Sequence, residues 1–164
     1  MFELGRVLFL HGMSSDGGRK TAHIRSLGFD VLTPSLSDWS LRSAVRTARA
    51  ACDEFEPNVI VGSSRGGAVA MALARSDVPL VLLAPAWRFC GVPPRVSPPQ
   101  AVVIHSPSDR WVQFDDSREL CRRNPHVHLI AAGHGHRLND PAARATLADV
   151  LDHLFPTKEK HADR

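Results

Sequence analysis

Six short apolar runs constrain this 164-residue chain more than any other feature. They fall at residues 7–10, 29–32, 59–61, 79–84, 101–105 and 127–131. Most are apolar throughout rather than alternating, as strands buried on both faces of a sheet are. Stretches of helical character lie among them. One passes through Ile24 and Leu27 and stops at Gly28, a favourable residue just past a helix end. A second starts after Ser40, a good N-cap, and sets Leu41, Ala44, Val45, Ala48, Cys52 and Phe55 on one face. Others are predicted over 65–74, over 115–122 and after Asp140-Pro141, where Leu147, Val150, Leu151 and Leu154 turn to the core. Strands alternating with helices predict a parallel α/β sheet. The length suits one domain, expected over residues 1–155, followed by a polar tail over 156–164. A chain of this size buries roughly two-thirds of its unfolded surface, enough for a substantial core.

Composition narrows the function classes. An apolar content of 43% with ordinary charge reads as globular. The net charge of +3 is mild and scattered, partly on Lys158, Lys160 and Arg164, so no nucleic-acid partner is expected. Cys52, Cys90 and Cys121 form no close pair and fit a reducing compartment. The apolar run ending at His11-Gly12 is too short for a signal peptide or a membrane span. The expectation is a soluble, cytoplasmic protein with no membrane partner.

In a parallel sheet, functional groups gather beyond the carboxyl ends of the strands. His11-Gly12-Met13 follows the first run. The third leads into Gly62-Ser63-Ser64-Arg65-Gly66, a G-x-S-x-G between a strand and a helix. Serine on such a turn is held in a strained backbone conformation with its hydroxyl exposed. The flanking glycines avoid collisions with neighbouring backbone. The helix N-terminus brings N–H donors to a developing oxyanion. Asp109 follows the fifth run, within Ser106-Pro107-Ser108-Asp109-Arg110-Trp111-Val112. His134 and His136 both follow the sixth, within Gly133-His134-Gly135-His136-Arg137-Leu138. Asp115 and Asp116 are rival acids, but they fall where a helix cap is expected. His126 and His128 alternate on a strand, yet no cysteine or carboxylate stands in register to complete a metal site with them. Neither metal nor cofactor is expected.

With Val7-Leu8-Phe9-Leu10-His11-Gly12, Gly62-Ser63-Ser64-Arg65-Gly66-Gly67, Ser108-Asp109-Arg110-Trp111-Val112 and Gly135-His136-Arg137-Leu138 in this order, the chain resembles the α/β-hydrolase family of serine esterases. The resemblance runs from Val7 to Phe155 and is to the small, uncapped bacterial members. It departs at Ser63, where many members carry histidine. It implies a minimal α/β-hydrolase fold: six parallel strands in the order 2-1-3-4-5-6, helices on both faces and no cap domain. The family pattern selects His136 over His134. Ser64 is then the nucleophile, His136 the general base and later the acid, and Asp109 the residue that orients the imidazole. The backbone N–H groups of Met13 and Arg65 form the oxyanion hole, and His11 is structural. Trp39, Trp87 and Trp111, in loops at the same edge, are expected to line an acyl pocket together with Phe89. The expected reaction is hydrolysis of a small carboxylic ester or thioester through an acyl-enzyme. A different bond on the same residues (amide, lactone or carbon–carbon) and a catalytically idle binding domain are the alternatives.

Overall fold

The computed structural model describes residues 4–15 and 17–156. The tail expected over 156–164 lies outside them except for Pro156. The strands are β1 (Arg6–Leu10), β2 (Asp30–Leu32), β3 (Val59–Ser63), β4 (Leu80–Leu83), β5 (Ala101–His105) and β6 (Val127–Ala131). The helices are α1 (Gly18–Ser26), α2 (Leu41–Phe55), α3 (Arg65–Ala72), α4 (Phe114–Arg123) and α5 (Pro141–Leu154). All strand pairings are parallel, and the order is β2-β1-β3-β4-β5-β6, as the family pattern implied.

Side chains alternate across each strand, so one sheet feeds two cores. Leu8, Leu10, Ile60, Leu80, Leu82 and Val103 pack on one face, with Ala44, Ala48 and Cys52 of α2, Val69 of α3 and Leu120 of α4. Val7, Phe9, Val59, Val61, Val81 and Ile104 pack on the other, with Ile24 of α1 and Leu147 and Leu151 of α5. The central strands are buried on both faces, which explains their unbroken apolar runs. Each such Val, Leu, Ile or Phe contributes about 1.5–3 kcal/mol relative to exposure.

Local signals set the helix ends. Ser40 Oγ accepts from the Ser43 N–H at 3.1 Å and starts α2. Asp140 Oδ1 accepts from the Ala143 N–H at 3.1 Å, ahead of Pro141 at the first turn of α5. Gly28, past the end of α1, adopts φ 94°, a left-handed conformation costly for other residues. One expectation needs correcting. Asp115 and Asp116 do not cap α4: Gln113 holds the N-cap position, and both aspartates lie in the first turn, paired with Arg118 and Arg88. Between β4 and β5 only residues 84–100 intervene, with no helix among them. No cap domain covers the carboxyl edge there. No helix among the described residues is long and apolar enough to cross a membrane.

Candidate active site

β3 delivers Ser64 to the carboxyl edge, and the turn into α3 is tight. Ser64 has φ 55° and ψ −117°, outside the regions that L-residues favour. Its backbone is held from both sides: the N–H donates to the Leu83 carbonyl at 2.8 Å, and the carbonyl accepts from Gly67 and Ala86, each at 3.0 Å. Close approach dictates the glycines. A Cβ on Gly62 would lie 2.6 Å from the Gly66 carbonyl oxygen, and one on Gly66 would lie 2.0 Å from that of Leu10. No side chain fits at either position, so α3 docks directly on β1.

Two other loops converge on the Ser64 hydroxyl. From the β6–α5 loop, the His136 ring sets Nε2 2.9 Å from Ser64 Oγ and Nδ1 2.7 Å from Asp109 Oδ2. The carboxylate is an acceptor, so Nδ1 carries the proton and Nε2 is free to accept from the serine hydroxyl. The His136 side chain is 20% exposed, whereas that of Asp109 is fully buried. Burial pushes the Asp109 carboxyl toward the neutral form. The hydrogen bonds from His136 and from the Val112 and Trp111 N–H groups outweigh it, so the group ionises below its usual range. Asp109 Oδ1 accepts from those two N–H groups at 3.0 and 2.8 Å. Ser64, His136 and Asp109 thus form one hydrogen-bonded row drawn from three loops.

Of the two histidines after β6, His134 has no part in this row. It is exposed, and its backbone N–H donates to Asp140 Oδ2 at 2.9 Å. The loop after β1 packs against the serine: a Cβ on Gly12 would lie 3.4 Å from Ser64 Cβ. His11 anchors that loop. Its Nε2 accepts from the Leu36 N–H at 3.1 Å, and its Nδ1 donates to the Gly12 carbonyl at 2.8 Å. Among the described residues, the N–H groups of Met13 and Arg65 have no hydrogen-bond acceptor. That of Arg65 belongs to the first residue of α3.

The pocket expectation is corrected in one particular. Trp87 is core, not lining. It is 4% exposed, its Nε1–H donates to the Asp116 carbonyl at 3.1 Å, and Arg88 stacks 4.7 Å from its ring centre. The chain after β4 folds back over the start of α4 and takes the indole beneath it. Trp39, Phe89 and Trp111 are 98, 84 and 86% exposed, with their rings in solvent. At that exposure they line no closed pocket.

Several residues that hold the row in place carry no obvious sequence signal. Ser106 Oγ donates to the Gly133 carbonyl at 2.9 Å, and Ser108 Oγ accepts from the Gly135 N–H at 3.1 Å. These serines read as turn chemistry, yet they join the Asp109 loop to the His136 loop. Lys20 of α1 reaches across to the Arg137 carbonyl at 2.5 Å. Burial, reinforced by the Arg137 charge, lowers the Lys20 pKa to about 8. His105, at the end of β5, bonds Asp109 directly. The signal that finds it is a polar residue closing an apolar strand, four positions before the acid.

No sequence-family model matches the chain, and no curated protein matches it in sequence. Solved structures do match. One is a protein from Xanthomonas campestris pv. campestris assigned to the alpha/beta hydrolase superfamily; it aligns over 91% of this chain and 98% of its own, with TM-score 0.75 and 18% identity. Est1E from Butyrivibrio proteoclasticus aligns over 93% and 87%, with TM-score 0.73 and 13% identity. A meta-cleavage product hydrolase from Pseudomonas fluorescens IP01 aligns over 94% and 91%, with TM-score 0.74 and 14% identity. The chain has the α/β-hydrolase fold, without a cap domain among the described residues.

Proposed function

We propose that this chain is a serine hydrolase of carboxylic esters or thioesters. The observation that carries the reading is the row Asp109–His136–Ser64, closed by contacts of 2.7 and 2.9 Å at a strained strand-to-helix turn. His136 Nε2 would take the Ser64 proton as Oγ attacks the carbonyl carbon. Asp109 would stabilise the imidazolium and hold its tautomer without itself taking the proton. The Met13 and Arg65 N–H groups would receive the oxyanion, each such donor contributing about 2.7–4 kcal/mol to the transition state. The imidazolium would then protonate the leaving alcohol or thiol, leaving an acyl group on Ser64. Water, activated by the same imidazole, would release the acid. An ester or thioester is the substrate this row opens most easily, because an alkoxide or thiolate leaves the tetrahedral intermediate more readily than an amide nitrogen. The hydrolase neighbours on the same fold support the broader reaction class.

The test is labelling with a fluorophosphonate, followed by hydrolysis of p-nitrophenyl acetate. Stoichiometric modification on Ser64, blocked in Ser64→Ala, is the expected result. A wild-type protein that takes no label and cleaves no ester overturns the proposal.

A further inference from the structure

His105 closes β5 with its side chain fully buried. Its Nε2 faces two acceptors, Asp109 Oδ2 at 3.0 Å and the Val112 carbonyl at 3.2 Å. Its Nδ1 lies 2.7 Å from the hydroxyl of Ser117, on α4. A carboxylate and a carbonyl have no proton to give, so the ring proton is on Nε2 and Ser117 donates to Nδ1. Burial holds His105 below its usual pKa against the opposing pull of Asp109. The Phe114 ring packs against it edge-on, 5.5 Å between centres. Asp109 therefore has four donors: two N–H groups on Oδ1, and the two histidines on Oδ2. Four donors fill the acceptor sites of a carboxylate.

We propose that His105 is a positioning residue for the hydrolytic row, locking the Asp109 carboxylate and sharing the oxygen that holds His136. The inference rests on the hydrolytic reading of Ser64, Asp109 and His136. Two N–H groups on Oδ1 leave the carboxylate able to swing about that oxygen. A donor on Oδ2 from the β5 side stops the swing. The shared oxygen has a second effect. A donor draws charge from Oδ2 and weakens its hold on the His136 proton. Without His105, Asp109 grips the imidazolium harder, and the base is silenced at a higher pH. Arg137 follows His136 in the chain, and Lys20 is bonded to the Arg137 carbonyl; neither is changed in the test.

The experiment measures kcat/KM for p-nitrophenyl acetate against pH in wild type, His105→Leu, His105→Gln and Ser117→Ala. It also records the downfield proton resonance of His136 Nδ1–H in the resting proteins. In His105→Leu we expect kcat to fall about tenfold with KM little changed. The acid limb moves up by about half to one pH unit, and the resonance moves further downfield. His105→Gln keeps a donor within reach of Asp109 and recovers part of both effects. A His105→Leu protein that loses stability while limb and resonance stay in place reduces His105 to packing and overturns the proposal. If that variant fails to fold, the limb and resonance in His105→Gln and Ser117→Ala decide in the same way. Absence of ester hydrolysis and of fluorophosphonate labelling in wild type overturns the hydrolytic reading instead, and the resonance alone then decides the His105 contact.

Discussion

At Ser64 reactivity and backbone comfort pull in opposite directions. Its φ of 55° and ψ of −117° suit only glycine well, and a side chain there costs about 1–3 kcal/mol. Ser64→Gly relieves that strain and loses about 0.5–1 kcal/mol through a freer unfolded chain. We expect its Tm to rise by a few degrees while kcat falls by about four orders of magnitude or more. Ser64→Ala should lose the same activity with Tm unchanged. A Ser64→Gly protein melting below wild type would show that the turn is not strained. Stability should also depend on pH through two buried groups. His105 is lowered by burial, so the unfolded chain binds its proton first, and stability falls as pH drops below 6.5, its ordinary value. Asp109 is also lowered, and its contribution is lost further down, below 3.8. Tm followed from pH 7 to pH 5 should fall in wild type and fall less in His105→Leu; equal slopes would remove His105 from the account. That Ser64, Asp109 and His136 meet was legible because turn glycines and strand ends mark them. His105 was not, because a histidine closing an apolar strand reads only as the strand's end, and its partner Ser117 lies 12 residues on. Trp87 was misread because a loop address does not reveal which side chains the loop folds over.

Among the elements, α3 depends most on a single atom's absence. A methyl on Gly66 would meet the Leu10 carbonyl at 2.0 Å and the His11 carbonyl at 2.6 Å, both backbone and unable to step aside. Gly66→Ala must therefore push α3 off β1, at the upper end of the roughly 1–3 kcal/mol that overpacking usually costs. The same shift moves the Arg65 N–H away from the Ser64 hydroxyl. The expected outcome is a Tm lowered by several degrees and, on the proposed function, p-nitrophenyl acetate hydrolysis down at least about a hundredfold, read by thermal melts and release of p-nitrophenol. Full activity at a lowered Tm would separate helix placement from catalysis. Gly28→Ala offers a contrast, since a Cβ there meets nothing within 4 Å and only its positive φ resists the change. The strands were legible because two-sided burial imposes unbroken apolar runs, and the helix starts because Ser40 and Asp140 cap as their chemistry dictates. The start of α4 was misplaced because aspartates suit the first turn as well as the cap.

For the whole molecule, the open carboxyl edge sets what can be bound. Residues 84–100 hold no helix, and Trp39, Phe89 and Trp111 stand in solvent. Each further CH₂ of an acyl chain gains about 0.8 kcal/mol only while protein covers it. On p-nitrophenyl esters of two to sixteen carbons, below micelle formation, kcat/KM should rise to about butyrate or hexanoate and then fall. A maximum at palmitate would require a covered tunnel. The row that defines the site also has a consequence in time. Ser64 and His136 meet across 72 residues, and Asp109 and His136 across 27. Such contacts form only when β3, β5 and β6 are all in the sheet, and parallel pairing of distant segments is slow. A chain diluted from denaturant should regain its helical far-ultraviolet signal first. Reactivity toward fluorophosphonate should return later, after a lag, making chemical competence the last property this molecule acquires as it folds.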